Sequence, residues 1–102
     1  MLHLDEGNFD TEVNSRKIIV IDFWAPWCGP CRALGPIIEQ IANEVSGDIA
    51  VAKINIDECP GLAERFQVQS IPTVVFLKNG QEVNRSVGLS TKADLLSVIN
   101  SL

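Results

Sequence analysis

The sequence has few of the features that hold a small protein together by means other than a hydrophobic core. Only 3 of its 102 residues are cysteines, which is too few for a disulfide scaffold. The longest continuous apolar runs, such as residues 18–21, are far shorter than a membrane-spanning segment. We therefore expect no membrane insertion and a core built by ordinary side-chain packing.

Basic residues are also scarce. The chain has 8 Lys and Arg against 13 Asp and Glu, a net charge of -5, and apart from Arg16-Lys17 the basic residues are scattered singly. This charge repels phosphate backbones, so no nucleic-acid partner is expected. The first twenty residues contain four acidic side chains and no basic region before an apolar stretch, which argues against a secretory signal or transit peptide and predicts a cytoplasmic location. A glycine-rich dinucleotide motif is absent, so no bound cofactor is expected.

What is present is an apolar pattern typical of a small α/β protein. Residues 18–23 and 49–56 are β-branched apolar runs of strand length, and between them apolar residues recur at helical spacing from Leu34 to Val45, with Gly47 as the expected helix end. A strand-helix-strand unit of this length favours parallel strands, with the ligand edge beyond their C-termini.

The rest of the chain completes one domain over residues 1–102. We predict a mixed central sheet of about five strands flanked by about four helices. The remaining segments are a first strand at residues 2–4, a helix at 5–13, a short helix at 60–66, two strands at 73–78 and 81–87 joined by the turn Asn79-Gly80, and a last helix whose cap is Thr91 with Asp94.

Two cysteines lie where the first central strand gives way to the helix. The Cys28-Gly29-Pro30-Cys31 spacing places the second sulfur one helical turn from the first. Unpaired N–H groups and the helix dipole favour an anion at Cys28, so its thiol should ionise more easily than free cysteine. Pro30 suits the first turn, where its missing N–H costs no hydrogen bond. This context predicts a redox-active pair.

A Cys-X-X-Cys motif also has other uses in proteins. A structural disulfide is one alternative, and a metal half-site is another, although only Cys59 and His3 remain as further ligands and neither has matching spacing. Haem attachment requires a histidine after the second cysteine, where this chain has Arg32. We therefore predict no metal site.

Several ordered segments match one family. They are residues 20–31 (Val-Ile-Asp-Phe-Trp-Ala-Pro-Trp-Cys-Gly-Pro-Cys), Pro36, residues 53–57, residues 71–73, residues 78–80 and Val87-Gly88. On these residues the chain resembles the thioredoxin family over essentially its whole length. The resemblance implies the thioredoxin fold and a protein-disulfide oxidoreductase with a redox-active Cys28–Cys31 disulfide and no bound cofactor.

The resemblance also implies roles for residues outside the motif. Ile71-Pro72 would be a cis peptide bond facing the cysteines, and Ile71, Pro72, Trp27 and Gly88 would bind an extended substrate segment. Ser70 and Leu89 depart from the residues common in the family at these positions, which predicts a substrate groove of different shape. Trp24 would pack beneath the loop, and Cys59 would be a bystander thiol.

Asp22 is the most informative residue outside the motif. A carboxylate within an apolar strand costs free energy unless it is paired or neutralised. It either reaches solvent at the strand end or, as the family resemblance implies, is a buried base with a raised pKa that helps to deprotonate Cys31. Lys53 on the next central strand would be its counter-charge.

The mechanism implied is attack by Cys28 on a target disulfide, followed by release when Cys31 attacks Cys28. By resemblance, the partners are an NADPH-dependent thioredoxin reductase and disulfide-containing proteins such as ribonucleotide reductase, peroxiredoxin and methionine sulfoxide reductase, and the chain is a monomer. A redox-independent docking or assembly subunit is the alternative from another functional class.

Overall fold

Strands and helices alternate along the chain until a β-hairpin and a final helix. The computed structural model describes all 102 residues. The elements are β1 (Leu2–His3), α1 (Phe9–Asn14), β2 (Ile18–Trp24), α2 (Gly29–Glu44), β3 (Ile49–Asn55), α3 (Pro60–Arg65), β4 (Thr73–Lys78), β5 (Gln81–Val87) and α4 (Lys92–Asn100). The predicted fold class, a mixed sheet of five strands with four helices, is confirmed.

One sheet carries all five strands, in the order β1-β3-β2-β4-β5. The strands β1, β3 and β2 run parallel, as the helix between β2 and β3 predicts, whereas β4 and β5 are antiparallel to their neighbours. The β2–β3 register pairs Asp22 with Lys53 and Trp24 with Asn55. This register sets Asp22 beside Lys53, its expected counter-charge.

The two faces of the sheet carry separate apolar clusters. Alternate residues of β2, such as Ile21 and Phe23, pack with Phe9 of α1 and Leu62 of α3. Val20 points to the opposite face, where α2 and α4 cover the sheet. Because side chains alternate along a strand, Asp22 and Trp24 share the face of Val20, beneath α2.

The local turn and cap predictions are confirmed at the C-terminal half of the chain. Asn79 and Gly80 both have positive φ, 53° and 81°, as a two-residue hairpin turn of the predicted kind requires. Thr91 caps α4, and its side chain accepts a hydrogen bond of 3.1 Å from the Asp94 N–H. No helix is both long and apolar enough to cross a membrane.

Two boundaries differ from the sequence prediction by more than one residue. The helix expected at residues 5–13 begins only at Phe9, because the Asp5 carboxylate accepts hydrogen bonds from the N–H groups of Gly7 and Asn8, at 2.8 and 2.9 Å, and forms a turn instead. The expected end at Gly47 is also wrong. Helix α2 ends earlier, with the extended residue Val45 as its C-cap, and Gly47 lies in the following loop with φ of 70°.

Candidate active site

Cys28 is the N-cap of α2. Its backbone is extended, and its sulfur accepts a hydrogen bond from the Cys31 N–H at 3.2 Å. Gly29 and Pro30 form the first turn of the helix, so the sulfur takes up an amide that has no partner within the helix. An anion at Cys28 is therefore stabilised by a backbone N–H and by the helix dipole.

Cys28 and Cys31 are joined as a disulfide, with their Cα atoms 5.2 Å apart. Both residues are buried, at 6% and 3% exposure, in a small cluster with Ala25, against which Trp24 and Ile71 pack. The bond can thus be approached from solvent only over a limited part of its surface. The predicted pair is confirmed as a disulfide at the start of a helix.

The loop before β4 faces this disulfide. Ile71-Pro72 is a cis peptide bond, as expected, and the Ile71 carbonyl oxygen lies 3.8 Å from the Cys28 sulfur. The Gly88 N–H donates to the Pro72 carbonyl at 2.8 Å, which brings the end of β5 to the same site. Gly88 has φ of 90°, so its backbone conformation favours glycine, and the space beside it is open.

Trp27 stands beside the disulfide and is 66% exposed. Its indole N–H donates to both oxygens of Asp57, at 3.0 and 3.2 Å. Asp57 lies two residues after the end of β3, at the carboxyl edge of the parallel strands where ligands bind in such sheets. Asp57 is not among the site residues predicted from the sequence, although its place after a parallel strand is a signal that identifies it.

Asp22 is buried within β2, with 1% of its surface exposed. Neither carboxylate oxygen has a hydrogen-bond partner within the protein. Burial raises the pKa of Asp22 to about 6, and the positive charge of Lys53 limits the rise. The alternative in which this aspartate reaches solvent at the strand end is wrong.

Lys53 lies opposite Asp22 in the β2–β3 register and is half-buried. It forms no hydrogen bond with the carboxylate. Its ammonium nitrogen instead lies over the Trp24 ring, 4.4 Å from the ring centroid. The counter-charge expected for Asp22 is therefore on the adjoining strand, but it is held by an aromatic face.

Cys59 lies apart from the pair, at the N-cap of α3. It is buried and free, with its sulfur 3.9 Å from the Leu4 carbonyl oxygen. Burial, with nearby acidic side chains, raises the pKa of this thiol. No group of three or more His, Cys, Asp or Glu side chains is arranged to hold a metal ion.

Comparison with known proteins gives consistent matches. The family model described as Thioredoxin matches residues 1–101. "Thioredoxin" of Mycobacterium bovis is 43% identical over 102 residues, covering 99% of this chain and 88% of the relative. "Thioredoxin M-type, chloroplastic" of Spinacia oleracea is 48% identical over 87 residues, covering 85% of this chain; the chain spans about half the length of that relative, 48%.

A solved structure shows the same architecture. A mutant thioredoxin from Halobacterium salinarum NRC-1 superposes with a TM-score of 0.91 at 36% sequence identity. The match covers 98% of this chain and 88% of that structure. The agreement therefore extends over the sheet, the helices and the loop that carries the disulfide.

Proposed function

The chain belongs to the thioredoxin family and is a protein-disulfide oxidoreductase acting by dithiol–disulfide exchange, and we propose that Cys28 is its nucleophile and Cys31 its resolving thiol. The observation that carries this assignment is the Cys28 sulfur at the N-cap of α2, accepting the Cys31 N–H. The start of α2 donates the Cys31 N–H to the Cys28 sulfur and also places Cys31 one helical turn away. Attack and resolution thus fall to different sulfurs.

In the first step, the Cys28 thiolate attacks one sulfur of a target disulfide and forms a mixed disulfide, while the other target sulfur leaves as a thiolate and takes a proton. Asp22 then accepts the Cys31 proton through water. The Cys31 thiolate attacks the Cys28 sulfur, which reforms the Cys28–Cys31 disulfide and releases the second target thiolate. The target disulfide gains two electrons, and the dithiol loses two.

Asp22 suits the role of base because its pKa, raised to about 6, keeps it ionised at neutral pH while it can still bind a proton. Lys53 supports this site by its charge, and Gly29 and Pro30 support it by setting the first turn of α2. Burial beneath α2 separates Asp22 from bulk solvent, which strengthens its electrostatic effect on the resolving step.

The substrate groove in this proposal is formed by Trp27, Ile71, Pro72 and Gly88. An extended target segment lies along the backbone of Ile71, whose carbonyl oxygen is 3.8 Å from the Cys28 sulfur. The exposed indole of Trp27 covers its side chains, and Gly88 allows close backbone approach. Leu89, 58% exposed beside Gly88, adds an apolar contact.

Regeneration by an NADPH-dependent thioredoxin reductase completes the cycle in this proposal, since the protein itself needs no bound cofactor for thiol exchange. The substrates are disulfide-containing proteins of the kinds that the family resemblance suggests, namely ribonucleotide reductase, peroxiredoxin and methionine sulfoxide reductase. We place this activity in a monomeric, single-domain protein in the cytoplasm, where the Cys-Gly-Pro-Cys sequence typical of reducing members is useful.

The test is rapid mixing of each reduced variant with a disulfide-bonded protein such as insulin, followed by acid quench and separation of mixed disulfides. Cys28→Ser should not react, and Cys31→Ser should stop at the mixed disulfide. Asp22→Asn should form the mixed disulfide at the wild-type rate but release the target about 10²-fold more slowly at pH 7. Undiminished function in both cysteine variants would instead favour redox-independent docking.

A further inference from the structure

Three side chains on the α2 face of the sheet form an arrangement that the exchange mechanism does not by itself require. Asp22 and Lys53 stand opposite each other on adjacent parallel strands. Trp24 lies two residues beyond Asp22 and therefore on the same face of β2. The Lys53 ammonium could interact with either the Asp22 carboxylate or the Trp24 ring. It lies over the ring, with its nitrogen 4.4 Å from the ring centroid.

This choice of partner is unexpected on charge alone. Asp22 has both oxygens unpartnered and is almost fully buried, so it would gain from a direct ion pair. The ring face of tryptophan is the best aromatic surface for a cation and attracts it more strongly where water is excluded. The ring and the carboxylate therefore compete for one ammonium group.

We propose that Trp24 is a positioning residue whose ring holds the Lys53 ammonium off the Asp22 carboxylate, so that this carboxylate stays free to accept the Cys31 proton. The proposal deepens the mechanism above and rests on the role given there to Asp22. An ion-paired Asp22 would be a weaker base, because a contacting cation stabilises its ionised form. Trp24 thereby keeps the positive charge of Lys53 near Asp22 but out of contact with its carboxylate.

Few other charges act on this group. On β4, the residue opposite Asp22 is Val74, which does not titrate, and α2 contributes the disulfide-bonded Cys31. Lys53 is the one charged group that shifts the pKa of Asp22, and it lowers that pKa against the larger effect of burial. On the far side of Lys53, the exposed His3 of β1 stands in register with it.

The test is a double-mutant cycle on the oxidised protein, with the titration midpoint of the Asp22 carboxyl measured by carbon-13 NMR. The four proteins are wild type, Trp24→Leu, Lys53→Met and the double variant. Trp24→Leu should lower the midpoint by about one pH unit, because Lys53 closes onto Asp22. Lys53→Met should raise it, and adding Trp24→Leu to Lys53→Met should leave it unchanged. Trp24→Phe, which keeps a ring face, should lie between wild type and Trp24→Leu.

Each other outcome overturns the proposal. If Trp24→Leu lowers the Asp22 midpoint equally in the presence and absence of Lys53, Trp24 acts by excluding water. No change or a rise in Trp24→Leu would mean that the freed ammonium moves to solvent. Repeating the cycle with His3→Gln removes the one nearby histidine, and the same pattern should persist.

A kinetic measurement separates this proposal from the mechanism on which it rests. The pH at which target release reaches half its maximal rate should move down in Trp24→Leu, together with the NMR midpoint. If Asp22→Asn releases target at the wild-type rate, the proposed role of Asp22 fails, whereas the NMR cycle still reports whether Trp24 restrains Lys53.

Discussion

Asp22 lies within an apolar strand, and no hydrogen bond offsets the free-energy cost of burying its carboxylate. Its pKa of about 6 lies above the ordinary value of 3.8, so between these two pH values the folded protein binds a proton that the unfolded chain has released. The resulting stability is fully present below about pH 4 and is lost as the pH rises through about 6. A base for thiol chemistry is thus retained at the expense of stability at neutral pH.

We predict that Asp22→Asn removes this pH dependence while keeping the shape of the side chain. The difference in free energy of unfolding, variant minus wild type, should be about 3 kcal/mol more positive at pH 8 than at pH 3, because only wild type loses stability as the pH rises. Urea denaturation of the oxidised proteins at both pH values measures it. A pH-independent difference between the two proteins would contradict the raised pKa.

Residues of the site differ in how far sequence could predict them. The cysteine pair and the buried Asp22 are local patterns, because a Cys-X-X-Cys at a strand end and a charge in an apolar run are visible without a structure. The hydrogen bond of Trp27 to Asp57 and the cation–π contact of Lys53 with Trp24 each join residues about thirty positions apart. They depend on the β2–β3 register, which no local pattern supplies.

At the scale of elements, side chains that compete for backbone groups decide the boundaries. The cap at Thr91 and the turn at Asn79-Gly80 were predicted because each uses a short, specific residue pattern. The start of α1 was missed because Asp5, which resembles a helix-capping residue, bonds to the next N–H groups and holds the chain in a turn until Phe9.

The N-cap of α4 makes a measurable contribution to the free energy of unfolding. Thr91→Ala should lower the free energy of unfolding by about 1 kcal/mol, because the Asp94 N–H loses its acceptor at the helix start. Thr91→Ser retains the hydroxyl and should stay near wild type. Urea titration of the three proteins gives the comparison, and an equal loss in both variants would show that the threonine methyl, rather than the hydroxyl, is responsible.

At the scale of the whole molecule, a single sheet joins the two apolar clusters to the active site. Strands β2, β3 and β4 contribute side chains to both clusters, and the disulfide follows the end of β2. Alternation of strand and helix predicted this layered architecture from sequence, since each helix must cover a sheet face. The convergence of the loop before β4 on Cys28 could be expected only from the family resemblance.

A sheet shared in this way should unfold as one unit, and a core residue distant from the disulfide offers a test. Ile99 of α4 is 3% exposed and packs on the face covered by α2. Ile99→Ala should lower the free energy of unfolding by about 2–5 kcal/mol and Ile99→Val by about 1 kcal/mol. Tryptophan fluorescence reports on Trp24 and Trp27 at the active site, and far-ultraviolet circular dichroism reports on the whole chain. Within each variant, the two probes should give the same urea midpoint.

The rate at which Cys28 forms the mixed disulfide should be unchanged at urea concentrations below the unfolding transition, because α4 contributes nothing to the helix start that holds Cys28. Separate midpoints for the two probes would show that the active-site end of the sheet is stable without α4, contrary to a shared core.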